Sequence, residues 1–372
     1  MDNNFIVSAR KYRPQTFKSV IGQNAITTTL KNSILQQQIA QAFLFCGPRG
    51  VGKTTCARIF AKTINCQNRT EDGEACNQCD SCLSFNASAS FNIFELDAAS
   101  NSGVDDMRRL VEQVRIPPQG VKYKVYIIDE VHMLSSAAFN AFLKTLEEPP
   151  AYAKFILATT EKHKIIPTIL SRCQIFDFKR IKTEDIAKHL AYVAENENIQ
   201  YEEAALHIIA QKAEGGLRDS LSMFDQIVSF SGGNLTYASA IENLNILDYD
   251  YFFKMTDHIL KEDTANSLLL YDEILDKGFD GQHFLSGLNE HLRNLSMCKT
   301  PATIRLMEVS DTVKQTYAAQ AQAIQDALLL QLLTLFTKCD AGYKTANNRR
   351  LHVEVALLQA CSLVPRVKVR QS

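Results

Sequence analysis

The chain is 372 residues long, enough for two or three domains with substantial cores. At 46% hydrophobic and 22% charged residues it reads as soluble and globular, which excludes a disordered or fibrous chain. The formal net charge of −1 excludes a protein-wide basic field, so any contact with nucleic acid must come from local patches or partner subunits.

Residues 7–23 carry Arg10, Lys11 and Arg13 ahead of Pro14, which disfavours helix at Arg13; by composition the segment is a basic, solvated arm. Ile26, Leu30, Ile34 and Leu35 predict an amphipathic helix over 25–39. The apolar run Ala42-Phe43-Leu44-Phe45 then leads into Gly47-Pro48-Arg49-Gly50-Val51-Gly52-Lys53-Thr54. This fits G-x-x-x-x-G-K-[ST] without mismatch, between a strand and a helix as the motif requires. Glycines permit backbone angles that turn successive N–H groups onto phosphate oxygens. The helix starting near Gly52 adds its positive dipole end, Lys53 reaches the terminal phosphates, and the Thr54 hydroxyl suits a Mg²⁺ shell. The motif and its context outweigh a chance glycine-rich turn, and a nucleoside-triphosphate site is expected.

The helix continues from Thr55 to Asn65, and a polar insertion follows with cysteines at Cys66, Cys76, Cys79 and Cys82. Their C-x9-C-x2-C-x2-C spacing suits four thiolates around one tetrahedral, structural Zn²⁺. An iron–sulfur cluster lacks the Pro after the fourth Cys, and a redox dithiol needs only one pair. The other six cysteines, among them Cys46 and Cys173, sit among apolar neighbours as small core residues. With no signal pattern at the N-terminus and no apolar run long enough to span a bilayer, a cytoplasmic protein with no membrane partner is expected.

A strand is predicted over 92–96 and a helix over 103–114, stopped by Pro117-Pro118. The apolar run from Lys124 to Ile128 delivers Asp129 and Glu130 at its C-terminal end, where ligands of α/β sheets bind. Asp129 would hold the Mg²⁺ shell through water, and Glu130 would polarise the attacking water as general base. Alone, such a pair is often a turn; downstream of a P-loop it gains weight. Ser135 is a helix cap, followed by a buried face of Phe139, Phe142, Leu143 and Leu146. A further strand, 154–158, delivers Thr159-Thr160; a hydroxyl there could sense the γ-phosphate, or merely satisfy a strand end. Ser171-Arg172-Cys173 precedes a fifth strand over 174–178, and by itself Arg172 reads as a surface residue.

From Thr183, expected as a cap, the pattern is helical. A second helix spans 202–213, Gly215-Gly216 breaks it, and a third carries Arg218 beside an apolar face of Leu217, Leu221, Phe224 and Val228. Residues from about 248 to 363 read as a helical bundle, either a compact core or a subunit interface, and the last residues as a basic linker.

In this order the motifs resemble the gamma/tau subunits of bacterial DNA polymerase III clamp loaders, a family of AAA+ ATPases. The resemblance runs over nearly the whole chain. It is carried by ARKYRPQTF, VIGQ, GPRGVGKTT, the four-cysteine insertion, IFELDAAS, YIIDEVHML, FNAFLKTLEEPP, LATTEKHKIIPTILSRCQIF and GGLRDSLS. It implies an α/β ATPase domain with a parallel five-stranded sheet over 1–180, holding a zinc module at 66–82. A helical lid over 181–244, a helical collar over 245–364 and the start of a linker over 365–372 follow. It also implies that Arg172 is an arginine finger acting on ATP held by a neighbouring subunit. Thr160 becomes sensor 1, Arg218 the sensor 2 arginine, and Tyr12, Arg13, Val20 and Ile21 the segment bordering the nucleotide.

The cofactors implied are ATP, Mg²⁺ and Zn²⁺. The partners are copies of the chain and delta and delta-prime type subunits in a five-membered ring, the sliding clamp, and primed DNA touched through its backbone. The holoenzyme is classed with DNA-directed DNA polymerases, a nucleotidyltransferase class, although no polymerase-like aspartate pair is evident. A second reading is another AAA+ nucleic-acid motor, since Asp129-Glu130-Val131-His132 is similar to helicase boxes. A non-hydrolysing scaffold predicts loss of Lys53, Thr54 or Glu130, and all three are present.

Overall fold

The alternation of apolar runs and helical patterns in the first half of the chain becomes five parallel strands: β1 Ala42–Cys46, β2 Ile93–Asp97, β3 Lys124–Asp129, β4 Ala153–Thr159 and β5 Gln174–Asp177. They lie in the order β2-β3-β4-β1-β5. The computed structural model describes residues 6–307, 309 and 311–364, so the linker expected over 365–372 lies outside the described residues. Two compact units divide the chain, one running to residue 200 and including 209–226, the other made of 201–208 and the residues from 227 onward.

In the first unit, β1 and β4 are buried along their whole length, which is why their sequences are continuously apolar rather than alternating. The two faces of the sheet nonetheless separate with period two. Phe43, Phe45, Ile127 and Ile156 pack with the helices Asn24–Leu35 and Lys53–Ile64. Leu44, Tyr126, Phe155 and Leu157 pack on the other face with Val104–Val114 and Ser136–Glu147. Parallel pairing forces each connection to cross over, so every strand ends at the same edge of the sheet. β1 sits between β4 and β5, far in sequence from both, and a topological switch of this kind opens a crevice beyond the strand ends. Ser135 accepts the Ala138 N–H at 3.2 Å and caps its helix as its sequence predicts.

Three local expectations change. The helix predicted over 25–39 stops at Leu35, because Gln37 takes a left-handed conformation at φ 56°. Thr183 opens its helix instead of capping it, with Lys182 in extended conformation before it. The basic arm is solvated only in part: Arg10 and Lys11 are exposed, but the segment is folded and anchored. It forms the short helix Ser8–Lys11 and the turn Phe17–Ser19, with Phe17 and Val20 buried against Ile26 and Leu30.

The second unit is helical. Tyr249–Leu260, Thr264–Asp276, Gly281–Cys298, Asp326–Tyr343 and Arg349–Ser362 enclose a core that includes Phe252, Leu288, Leu292, Leu332, Phe336 and Leu357. Asp248, Asp263, Asp280 and Asn348 each accept a backbone N–H at the start of these helices. Among the described residues, no helix is long and apolar enough to cross a membrane.

Candidate nucleotide site and cysteine cluster

The loop after β1 is shaped by glycines where only glycine fits. Gly47 has φ 146°, and a Cβ there would stand 2.5 Å from the Phe178 carbonyl oxygen. Gly52, at φ 102°, turns the chain into the helix Lys53–Ile64. The Lys53 ammonium is buried and donates to the carbonyls of Gly47 and Pro48, both at 2.8 Å. Burial lowers its pKa, while Glu130 and Asp129 pull it upward. Thr54 Oγ1 donates to Asp129 Oδ2 at 2.6 Å, joining the P-loop to the tip of β3. A hydroxyl and a carboxylate this close fit one hexacoordinate Mg²⁺ shell, directly or through water.

Glu130 follows β3 with φ 47°, a left-handed conformation uncommon outside glycine, which bends the chain away from the sheet. Its Oε2 accepts the Thr160 hydroxyl at 2.9 Å and the Thr160 N–H at 3.2 Å. Thr160 stands at the tip of β4, so neighbouring strands bring the two residues together. Beside them, His132 Nδ1 lies 3.0 Å from Thr159 Oγ1 and 3.4 Å from Glu130 Oε2.

Lys53, Thr54, Asp129 and Glu130 border a cavity of about 690 Å³, a size that suits a nucleotide. Tyr12, Arg13, Val20 and Ile21 form one wall and the loop from Arg49 to Thr55 another, with Asp129, Glu130 and Arg218 completing it. Arg13 Nε donates to Thr55 Oγ1 at 3.3 Å. Burial lowers the Arg13 pKa, and the like charges of Arg58 and Arg218 add to it. Tyr12 is tied by its hydroxyl to Glu197. The Arg218 N–H points to the Gly50 carbonyl at 3.4 Å, which seats the start of the helix Leu217–Phe230 on the P-loop.

Three expected residues are not in the wall. Gly47 and Pro48 serve through carbonyls that hold Lys53, and Thr160 stands behind Glu130. Arg172 lies apart, partly exposed, pairing with Glu147 at 2.9 Å and donating to the Thr168 carbonyl at 2.7 Å. Asp97, the last residue of β2, and Ala99, just beyond it, also line the cavity and were not expected. Their sequence signals were position at a strand end and membership of the IFELDAAS motif.

In the insertion, Cys66, Cys76, Cys79 and Cys82 place their sulfurs within 4.8 Å of one another. Cys66 Sγ is 3.5 Å from Cys76 Sγ and 4.0 Å from Cys79 Sγ, and all four cysteines are unbridged. A tetrahedral zinc with Zn–S near ~2.3 Å has sulfurs ~3.8 Å apart, so the cage fits that ion. Backbone N–H groups of Gln78 and Cys79 point at Cys76 Sγ and hold its pKa down to about 6. Cys82 lies on the short helix Asp80–Asn86, fully buried.

Family models match the chain in succession: the DNA polymerase III delta subunit over 22–182, the clamp loader subunit ATPase lid domain over 185–233, and gamma and tau domain III over 236–371. The DNA polymerase III subunit gamma of Buchnera aphidicola (subsp. Baizongia pistaciae) is 36% identical, covering 97% of this chain and 98% of its own length. The chain belongs to the DNA polymerase III gamma/tau family. Subunit tau of Bacillus subtilis is 41% identical over 95% of this chain, which spans 62% of that longer relative. Subunit tau of Escherichia coli is 36% identical over 98%, and the chain spans 56% of it. Among solved structures, Thermotoga maritima RuvB aligns over 67% of this chain and 79% of its own at 17% identity and TM-score 0.47. The family is one of AAA+ ATPases, in keeping with the P-loop, the parallel sheet and the helical C-terminal region.

Proposed function

We propose that this gamma/tau family member is an ATP-driven motor subunit of a clamp loader, opening a sliding clamp and loading it onto primed DNA. The observation that carries the reading is the joined P-loop and β3 tip, with Thr54 bonded to Asp129 and Glu130 held by Thr160, in a cavity of nucleotide size. Lys53 and the P-loop N–H groups would bind the phosphates, and the arm from Tyr12 to Ile21 would cover the base and ribose. Thr54 and Asp129 would hold Mg²⁺, which would supply positive charge to offset that of the phosphates. Glu130 would take a proton from the attacking water, oriented by its bond to Thr160. Arg218 would read the bound phosphates from the lid.

Arg172 stands outside its own cavity, which fits action in trans, on nucleotide held by the neighbouring subunit. The zinc module at 66–82 is structural. Residues 1–180 form the ATPase domain, 181–244 the lid and 245–364 the collar that joins a five-membered ring with delta and delta-prime type subunits. Contacts to primed DNA are to its backbone, and the protein works in the cytoplasm. The proposal does not extend to nucleotidyl transfer.

ATP hydrolysis by the chain assembled with its loader partners, with and without clamp and primed DNA, tests this. Stimulation that requires both clamp and DNA is expected. Turnover indifferent to the clamp would favour a helicase or branch-migration motor instead.

A further inference from the structure

We propose that the four-cysteine module braces one wall of the nucleotide cavity, with Glu74 as the positioning residue. The inference rests on the nucleotide and zinc readings above. Glu74 lies between Cys66 and Cys76, and its carboxylate is buried. Oε2 accepts the Phe17 N–H at 2.9 Å and Oε1 accepts the Lys18 N–H at 3.0 Å. One side chain of the module thus holds the first two N–H groups of the turn Phe17–Ser19, donors that the turn itself leaves without partners. Tyr12 and Arg13 on one side of this turn, and Val20 and Ile21 on the other, line the cavity. The clamp therefore sits midway along the segment whose two ends make the wall.

The module is also fixed to the P-loop helix. Lys62, nine residues into Lys53–Ile64 from its start and buried, donates to Asn77 Oδ1 at 2.6 Å and Asn86 Oδ1 at 3.2 Å, and reaches Gln15 Oε1 of the arm at 3.4 Å. Lys31, from the helix Asn24–Leu35, stands 3.5 Å from Glu74 Oε1. Inside the module, the buried cluster is only Cys66, Ala75 and Cys82, with Cys76 and Cys79 against it. So small an apolar core leaves the position of Glu74 to the metal, because a site of this kind folds as its ion binds. Metal occupancy then sets the fraction of chains with the arm docked, and apparent nucleotide affinity scales with that fraction.

The test uses the full chain, unmutated and as Glu74→Ala and Glu74→Gln, each with and without a zinc chelator. Zinc content, backbone hydrogen exchange over 12–21 and Mg²⁺–ADP affinity by calorimetry are measured. Glu74→Ala should keep its zinc, exchange faster over 12–21 and bind ADP about tenfold more weakly, as when one chain in ten has the arm docked. Glu74→Gln, which keeps one carbonyl acceptor, should fall between. Chelation should weaken the unmutated protein similarly and add little to Glu74→Ala, since both remove the same brace. Unchanged ADP affinity and exchange in zinc-loaded Glu74→Ala overturns the proposal, as do additive effects of chelation and mutation. An unmutated chain that binds no ADP would instead strike down the nucleotide reading, and one that carries no zinc the metal reading, each taking the brace with it.

Discussion

Replacing Cys82 with serine tests the zinc reading with a magnitude the structure sets. Cys82 is fully buried and within 4.8 Å of the other three sulfurs, so its loss opens the cage from the inside. A serine hydroxyl does not ionise at neutral pH and makes a poor fourth ligand. The module's own apolar cluster is only Ala75 and the cysteines themselves, so its internal fold leans on the ion. The ion acts as a crosslink from Cys66 to Cys82, and for a loop of ~15–20 residues such a link contributes about 3 kcal/mol. At about 2–4 °C per kcal/mol for a unit of ~200 residues, the melting midpoint should fall by about 6–12 °C. Calorimetric melting and elemental analysis of the same preparations measure both quantities. Zinc should be present at one per chain in the unmutated protein and depleted in Cys82→Ser, and a chelator should lower the midpoint of the first but not the second. A variant that melts with the unmutated protein while retaining zinc would refute the reasoning, and iron in place of zinc would return the cluster to the iron–sulfur alternative.

Three further outcomes are expected at the nucleotide site. Lys53→Ala should abolish measurable ATP binding or turnover, because it removes the one ammonium seated in the loop; unchanged turnover would remove the P-loop assignment. Glu130→Gln should bind nucleotide within a few-fold of the unmutated chain yet hydrolyse it about 10²–10⁴ times more slowly, since the amide carbonyl still accepts from Thr160 but takes no proton. Single-turnover kinetics separate the two quantities, and equal loss of both would point to a role in binding instead. Arg172→Ala should leave ATP binding by the isolated chain unchanged and lower turnover in the assembled ring by about 10³–10⁵. Equal loss in the isolated chain would contradict action across an interface.

The charges of the site argue that it is built to be filled. Lys53 is buried and Arg13 half-buried, and burial disfavours their charged forms. Around Arg13 the neighbours Arg58 and Arg218 repel it, while Glu95 and Asp129 compensate. Lys53 spends its donors on the carbonyls of its own loop, a substitute for stronger acceptors. Phosphate oxygens entering the cavity would give both groups anionic acceptors and so offset the burial that disfavours their charged forms.

How much of this was legible in the sequence depended on whether a signal was local. The P-loop, the acidic pair after β3 and the cysteine spacing are short motifs whose chemistry requires those residues in that order, and each lies where it was expected. The strands were equally readable, because full burial on both faces leaves a continuous apolar run such as Ala42–Cys46. The arm was read only in part: Arg10 and Lys11 are exposed as its composition suggests, but its anchoring comes from Phe17 and Val20 meeting a helix that follows them. The bond between Glu130 and Thr160 depends on β3 and β4 being neighbours, a fact of strand order that no local pattern carries. Glu74 shows the limit most plainly. In sequence it is one more acidic residue in a polar insertion, indistinguishable from Glu71 or Asp72. Only folding reveals that its carboxylate is buried on the backbone of Phe17 and Lys18, so that a residue placed by the cysteines comes to position the nucleotide wall.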